Sequence, residues 1–377
     1  MNLISKYTTE NAYYFSTPEY EILVKSIYEE IPFNHALEIS NIIKKMKSRG
    51  LLEGKLLVGA VPFNIRESGS LYLADHWEKR QLVFEKRQNV KGLIKISNQL
   101  VSTKYIPLPE VYEKMVEQGI NYISSGLLEK IVLSRGALLE FDSEINVLQI
   151  LKRLYIDNPA GYTYALKLGK SKFLIGASPE MLISKRGNFI YSNPLAGSRP
   201  RGKSETEDIQ LAEELKQSQK DLQEHKIVVD NIVGNLSNVC KNIEAPDSPD
   251  TIKTKQLWHL SSVIRGKMIN DTDTVLDAAL AIHPTPAVCG VPQSEAYDKI
   301  SMLERGSRGE FTGIIGWCDE GGDGDWAIAI RGAEIDKNKL KIQAGAGIVR
   351  DSVPKEEIRE TGIKMTTILN CLDLKEI

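Results

Sequence analysis

Two glutamates and a lysine are spaced to share one face of a C-terminal helix. In GAGIVRDSVPKEEIRETGIK (345–364), Glu357 and Glu360 are three residues apart and Lys364 lies four further on. Side chains at those spacings stack on one helix surface. The preceding run Ala344-Gly345-Ala346-Gly347 reads as a bare loop that a ligand can approach closely, because glycine has no Cβ. Ser352 reads as the helix cap and Pro354 as the first helical residue. Ile358, Met365, Ile368, Leu369 and Leu372 form an apolar stripe beside the acids, which sets the carboxylates at the edge of a core. This chemistry suits a hard cation facing an anionic substrate. The same row would also serve as a dipole complement and surface pair. A phosphate loop is disfavoured, since the glycines lack a GK[ST] ending and an acidic first turn repels phosphate.

A second acidic row lies far upstream. The segment 204–240 reads as one long helix with Leu211, Leu215, Leu222, Val229, Ile232 and Leu236 as its buried stripe. Asp221 and Glu224, three apart, share an edge of that stripe and repeat the Glu357/Glu360 arrangement. Two such edges facing one another would supply oxygen ligands for an octahedral Mg²⁺, with water completing the shell. Lys130 opens the apolar run Ile131-Val132-Leu133. A lysine there either snorkels to water or, stripped of water by its neighbours, becomes a usable general base near neutral pH. Glu180 follows Pro179 between two apolar strands. It is either a solvated turn residue or a carboxyl raised by burial, which suits a general acid. Arg331 falls within the apolar run DWAIAIRGAEI and, if buried, needs an anionic partner, protein or substrate. His283 precedes Pro284, so its backbone is pushed toward extended geometry and its ring is free to enter a cleft.

The elements that must position these groups follow from patterning. LLVGAVPF (56–63) and SLYLADHW (70–77) read as strands, and 109–124 as a helix with Val111, Met115, Ile120 and Ile123 on one face. Residues 161–202 read as a β-meander broken at Gly169-Lys170, Ser178-Pro179, Arg186-Gly187 and Ala196-Gly197. A strand is expected over 257–264. Three more strands follow in FTGIIGWCD, DWAIAIRGAEI and KLKIQAGAGIV. The chain has 377 residues and a net charge of −2, without a basic run, which argues against a nucleic-acid footprint. Four scattered cysteines without CxxC spacing read as reduced thiols. No signal-type or membrane-length apolar run occurs, so a soluble cytoplasmic protein is expected.

Read together, LEKIVLSR, GASPEML, PLAGSRPRG, KDLQEH, LWHLSSVIRG, HPTPAVCG, EFTGIIGWCD, AIAIRGAEI, AGAGIV and ETGIKM resemble the chorismate-utilising enzymes. That family comprises the isochorismate, salicylate, anthranilate and aminodeoxychorismate synthases. The likeness is dense from about residue 105 onward and thinner before, where VGAVPF still matches. It implies one α+β chorismate-binding domain over 1–377, with large, mostly antiparallel sheets flanked by helices and the site in the central cleft. Residues 1–105 would complete the sheet layers. It further implies Lys130 as general base and Glu180 as general acid. Glu224 and Glu360 would be Mg²⁺ ligands, with Glu357 and Asp221 in support. Gly197, Ser198, Arg331, Gly345, Gly347 and Lys364 match contacts to the substrate carboxylates, and His283 a cleft residue near the ring.

Within the family, amine-forming members draw ammonia from a glutaminase and typically carry threonine where this chain has Ala287. Ala287 therefore favours water as nucleophile and no glutaminase subunit. Salicylate synthases tend to carry tyrosine and leucine where Phe311 and Ile330 stand. The resemblance thus implies a monomeric isochorismate synthase of the siderophore type with chorismate as substrate. The alternative is a salicylate synthase with added pyruvate-lyase activity.

Overall fold

A computed structural model describes residues 2–82 and 98–374. Helices are α1 (Ile39–Ser48), α2 (Pro109–Ser124), α3 (Val147–Asp157), α4 (Glu205–Gln217), α5 (Gln219–Leu236), α6 (Val275–Ile282), α7 (Gln293–Glu304) and α8 (Pro354–Leu369). Among the described residues, seventeen strands join in one hydrogen-bonded network. The pairing path runs from Leu100–Ile106 through Lys130–Phe141, Lys339–Ile348, Gly332–Asp336 and Lys172–Ser178. It continues through Tyr162–Lys167, Tyr13–Ser16, Tyr20–Phe33, Gly69–Gln81 and Leu56–Val61. From there Ile314–Cys318, Gly324–Ile328 and Met181–Arg186 lead toward the far edge at Cys240–Glu244. Every one of these pairings is antiparallel.

The ribbon folds back on itself, and the patterning explains why. Leu56, Val58, Ile315 and Trp317 pack inward with Tyr13, Ile22 and Tyr164, while Leu57, Val61, Ile314 and Cys318 face outward onto α1, α5 and α6. Both faces of these strands are therefore buried, which accounts for the unbroken apolar run in LLVGAV. On the other half, α3 and α8 cover Leu139, Ile175 and Ile342, while α2 and α7 cover Ile131, Leu133 and Ile348. The architecture is α+β, two packed antiparallel sheet halves with helices outside. A separate small sheet, Leu195–Pro200, Leu257–Ser261 and Asp250–Lys253, stands beside the cleft.

Several sequence expectations change. The 204–240 helix is two helices, because Ser218 adopts extended geometry and its side chain caps Asp221 N–H. DWAIAIRGAEI is two strands, Gly324–Ile328 and Gly332–Asp336, and Arg331 sits between them at φ +53°. The expected strand over 257–264 divides into Leu257–Ser261 and Ile264–Met268. Ala196-Gly197 is a bulge within a strand, with Gly197 at φ +75°, not a turn. The glycine run is the end of strand Lys339–Ile348, not a loop. Val353 occupies the N-cap of α8, and Ser352 instead accepts Val349 N–H. On α2, Tyr112 and Val116 are buried, and Val111 is exposed.

Candidate active site

Four pieces of chain meet at one cleft. The first is the paired strands Lys130–Phe141 and Lys339–Ile348, where Val132 stands opposite Gly347 and Ser134 opposite Gly345. Alternation sends Ala344, Ala346 and Ile348 into the core and turns Gln343, Gly345 and Gly347 toward the cavity. The floor is bare strand. A Cβ on Gly347 would stand 3.0 Å from Lys130 Cε and closer still to Glu224 Oε1, so glycine is what lets those two side chains meet there.

The second and third pieces are α5 and α8. The break at Ser218 starts α5 afresh, so Asp221, Glu224 and His225 fall on its buried face. Lys130, 1 % exposed, pairs with Glu224 at 2.9 Å. Asp221 pairs with Arg199 at 2.7 Å. From α8, Glu360 pairs with Lys364 at 2.6 Å, and Lys364 also donates to Gly345 O at 2.8 Å. Lys220 stands 3.7 Å from Glu357. Asp221, Glu224, Glu357 and Glu360 thus each stand beside a cation. Burial, reinforced by Glu360 and Glu224, raises the Glu357 carboxyl. Glu360, half-buried, is lowered by Lys364.

The fourth piece is a pair of crossovers. The chain leaves one sheet half at Ser178 and enters the other at Met181, leaving Pro179-Glu180 in the crossing. Ala329-Ile330-Arg331 crosses beside it, held by Ile328 N–H to Glu180 O at 3.2 Å and Ala177 N–H to Arg331 O at 3.1 Å. Glu180 is 4 % exposed, and burial pushes it up to about 7 against the pull of Lys130, Lys364 and Arg331. Arg331 is 7 % exposed, and burial draws its guanidinium down to about 10, so it stays charged at neutral pH. Its hydrogen-bond contact is His259 Nε2 at 3.5 Å, and His259 Nδ1 meets Ser198 Oγ at 2.9 Å. Among the described residues no carboxylate lies within ion-pair distance of Arg331, so a buried cation faces the cavity without an anion of its own.

Of the residues singled out from sequence, Glu180, Gly197, Ser198, Asp221, Glu224, Ala287, Phe311, Ile330, Arg331, Gly345, Gly347, Glu357, Glu360 and Lys364 all line this cavity. Lys130 reaches it through Glu224. His283 does not: its ring is bonded to Pro62 O at 3.0 Å, and burial lowers it to about 4, so it braces the turn behind the cleft. His259 was missed as a site residue. It is a polar residue inside the apolar strand Leu257–Ser261, which was the available signal.

The acidic corner fits a hard divalent ion in its chemistry: its carboxylates offer only oxygen donors, and Glu360 and Glu224 lie close enough to help raise the Glu357 carboxyl. Among the described residues no three His, Cys, Asp or Glu side chains are gathered to close a metal shell by themselves. Magnesium asks for less, one or two carboxylates with substrate oxygens and water.

A family model described as chorismate binding enzyme matches residues 56–373, and the chain belongs to that family. Its relatives include isochorismate synthases. It is 38 % identical to isochorismate synthase DhbC of Bacillus subtilis, over 97 % of this chain and 94 % of the relative. It is 36 % identical to the vibriobactin-specific isochorismate synthase of Vibrio cholerae, over 98 % and 93 %. The crystal structure of DhbC from Bacillus anthracis superposes with a TM-score of 0.92 at 36 % identity, covering 99 % of both chains. The fold also extends to anthranilate synthase component I from Streptococcus pneumoniae, with a TM-score of 0.77 at 24 % identity over 93 % and 92 %.

Proposed function

We propose that this chain is an isochorismate synthase, an isomerase that exchanges the C4 hydroxyl of chorismate for a C2 hydroxyl taken from water. The observation that carries the reading is a buried acid, Glu180, and a buried amine, Lys130, set around one cavity that also holds a buried arginine with no carboxylate at ion-pair distance among the described residues. Family membership and the two isochorismate synthases at 36–38 % identity support the same reading.

The roles follow from the surroundings of each group. Arg331 and Lys364, with the bare backbone at Gly345 and Gly347 and the Gly197-Ser198 bulge, suit the two substrate carboxylates. Lys130 takes a proton from water as the water oxygen bonds to C2, and can do so only when Glu224 has another partner. The ring double bonds shift, the C4–O bond breaks, and Glu180 gives its proton to the departing hydroxyl. One water enters and one leaves, so the reaction is reversible. Acid and base each contribute about 10²–10⁴-fold. Glu224 and Glu360 are the side chains that would hold Mg²⁺, with Glu357 through water and Asp221 beside its Arg199. The metal's contribution is charge neutralisation at the ring carboxylate.

Ala287, Phe311 and Ile330 border the cavity, so the residues by which the resemblance favours water over ammonia and disfavours pyruvate elimination stand where they can meet the substrate. The product would feed either siderophore or menaquinone synthesis, and the vibriobactin-specific relative favours the former. Incubating the full-length protein with chorismate and Mg²⁺ tests the proposal. Isochorismate at an equilibrium ratio supports it, while fluorescent salicylate and pyruvate appearing as fast as chorismate disappears would establish the lyase alternative.

A further inference from the structure

The strand that carries Lys130 has an unpaired stretch on one edge. Lys339–Ile348 covers its inner edge throughout. On the outer edge, Gly290–Val291 pairs with residues 130–131, and Leu100–Ile106 pairs only from Gly136 onward. Between them Val132 N–H reaches Cys289 O at 2.7 Å, and among the described residues the Val132 carbonyl and Ser134 N–H have no strand to meet. Two side chains take the strand's place. Arg308 Nη2 donates to Val132 O at 2.8 Å, and Glu304 Oε1 accepts Ser134 N–H at 2.8 Å.

The remaining donors of Arg308 are all engaged. Nη1 donates to Val288 O at 2.8 Å and Thr312 Oγ1 at 3.2 Å, and Nε and Nη2 both donate to Glu304. All five guanidinium N–H groups therefore have acceptors. The residue is 3 % exposed and lies over the Phe63 ring, 4.4 Å from its centroid. Val132, Val288 and Thr312, the three segments it joins, each line the cavity. A buried ion pair is a poor source of stability compared with apolar residues of the same volume. What a five-donor fork provides instead is fixed relative placement of the groups it holds.

We propose that Arg308 and Glu304 are a positioning pair, which fastens the Lys130 strand to the cavity walls at Val288 and Thr312 and so fixes the amine relative to the ring. The pair touches no substrate and acts through Lys130, so its consequence for turnover rests on the isochorismate synthase reading.

The test uses the full-length protein with chorismate and Mg²⁺, and amide hydrogen exchange without substrate. Glu304→Met combined with Arg308→Met removes both charges at similar volume and should fold. Its kcat should fall by about 10²-fold, the cost of an ångström-scale misplacement, with KM within a few-fold of wild type. Exchange across 130–134 should accelerate. Glu304→Gln, nearly isosteric, cannot accept from Ser134 and Arg308 at both positions, and should show a smaller kcat loss in the same direction. It supplies the answer if the double variant does not fold. Wild-type exchange across 130–134 in a folded variant overturns the proposal, as does a loss confined to KM. A wild-type enzyme inert toward chorismate, with exchange still accelerated in the variants, would defeat the assigned activity and leave the fastening role standing.

Discussion

Glu180 and Glu360 are carboxyl groups on the same cavity, the first buried and the second half-buried, and their protonation is driven in opposite directions. Glu360 lies on a helix, where Lys364 one turn later pairs with it at 2.6 Å and holds it as an anion. Glu180 lies at a crossover between sheet halves, where among the described residues its carboxylate accepts only from Leu195 N–H, at 3.5 Å, and burial pushes it up to about 7. Burial without a contacting cation favours the protonated carboxyl, as the proposed proton donor requires, while a half-buried carboxyl beside an amine stays ionised, as the proposed metal ligand requires. A helix supplies the i, i+4 partner automatically. A crossover does not, because the residues next to it belong to other strands.

That contrast can be broken at its strongest point first. If the amine-paired corner is a metal site, EDTA should abolish turnover and added Mg²⁺ should restore it, whereas full turnover in chelator would remove the metal from the account. Glu180→Gln should cost about 10²–10⁴-fold in kcat without loss of fold, and Lys130→Ala about as much, measured by chorismate consumption. Gly347→Ala should lower kcat by about 10-fold or more by pushing Glu224 and Lys130 off their positions. Gly345→Ala should cost less, because its nearest neighbour is Val132 Cγ1 at 3.1 Å, away from the acids.

The smallest effect is on pH dependence. Glu180 is raised in the folded chain, so its favourable contribution is complete below the unfolded carboxyl value near 4.5 and is lost as pH rises toward about 7. Across that interval wild type should lose stability relative to Glu180→Gln by at most about 3 kcal/mol, read from melting temperatures at each pH. Activity should fall as pH climbs through 7, when the acid gives up its proton. Equal pH profiles for the two proteins would show that Glu180 is solvated.

Local spacing made much of the site legible in the sequence. The Glu357/Glu360/Lys364 row and the Asp221/Glu224 edge are helix-period facts, and Lys130 announced itself at a strand mouth. The break at Ser218 was also written locally, as Ser218-x-x-Asp221, a capping signature inside a helical pattern. The apolar period continues through it and masks the break. Arg331 at φ +53° and the side-by-side crossovers could not be read, since they depend on which distant strands pair. His283 failed for a related reason. Its extended backbone was foreseen, but the ring's destination depends on Pro62, which the chain brings up from residue 62.

The central claim, that water enters at C2 while the C4 hydroxyl leaves between Lys130 and Glu180, is tested most directly in H₂¹⁸O. Early in the reaction of the full-length protein with chorismate and Mg²⁺, the account predicts isochorismate carrying one ¹⁸O at C2, without matching pyruvate. Unlabelled product, or pyruvate released in step with chorismate loss, would contradict it.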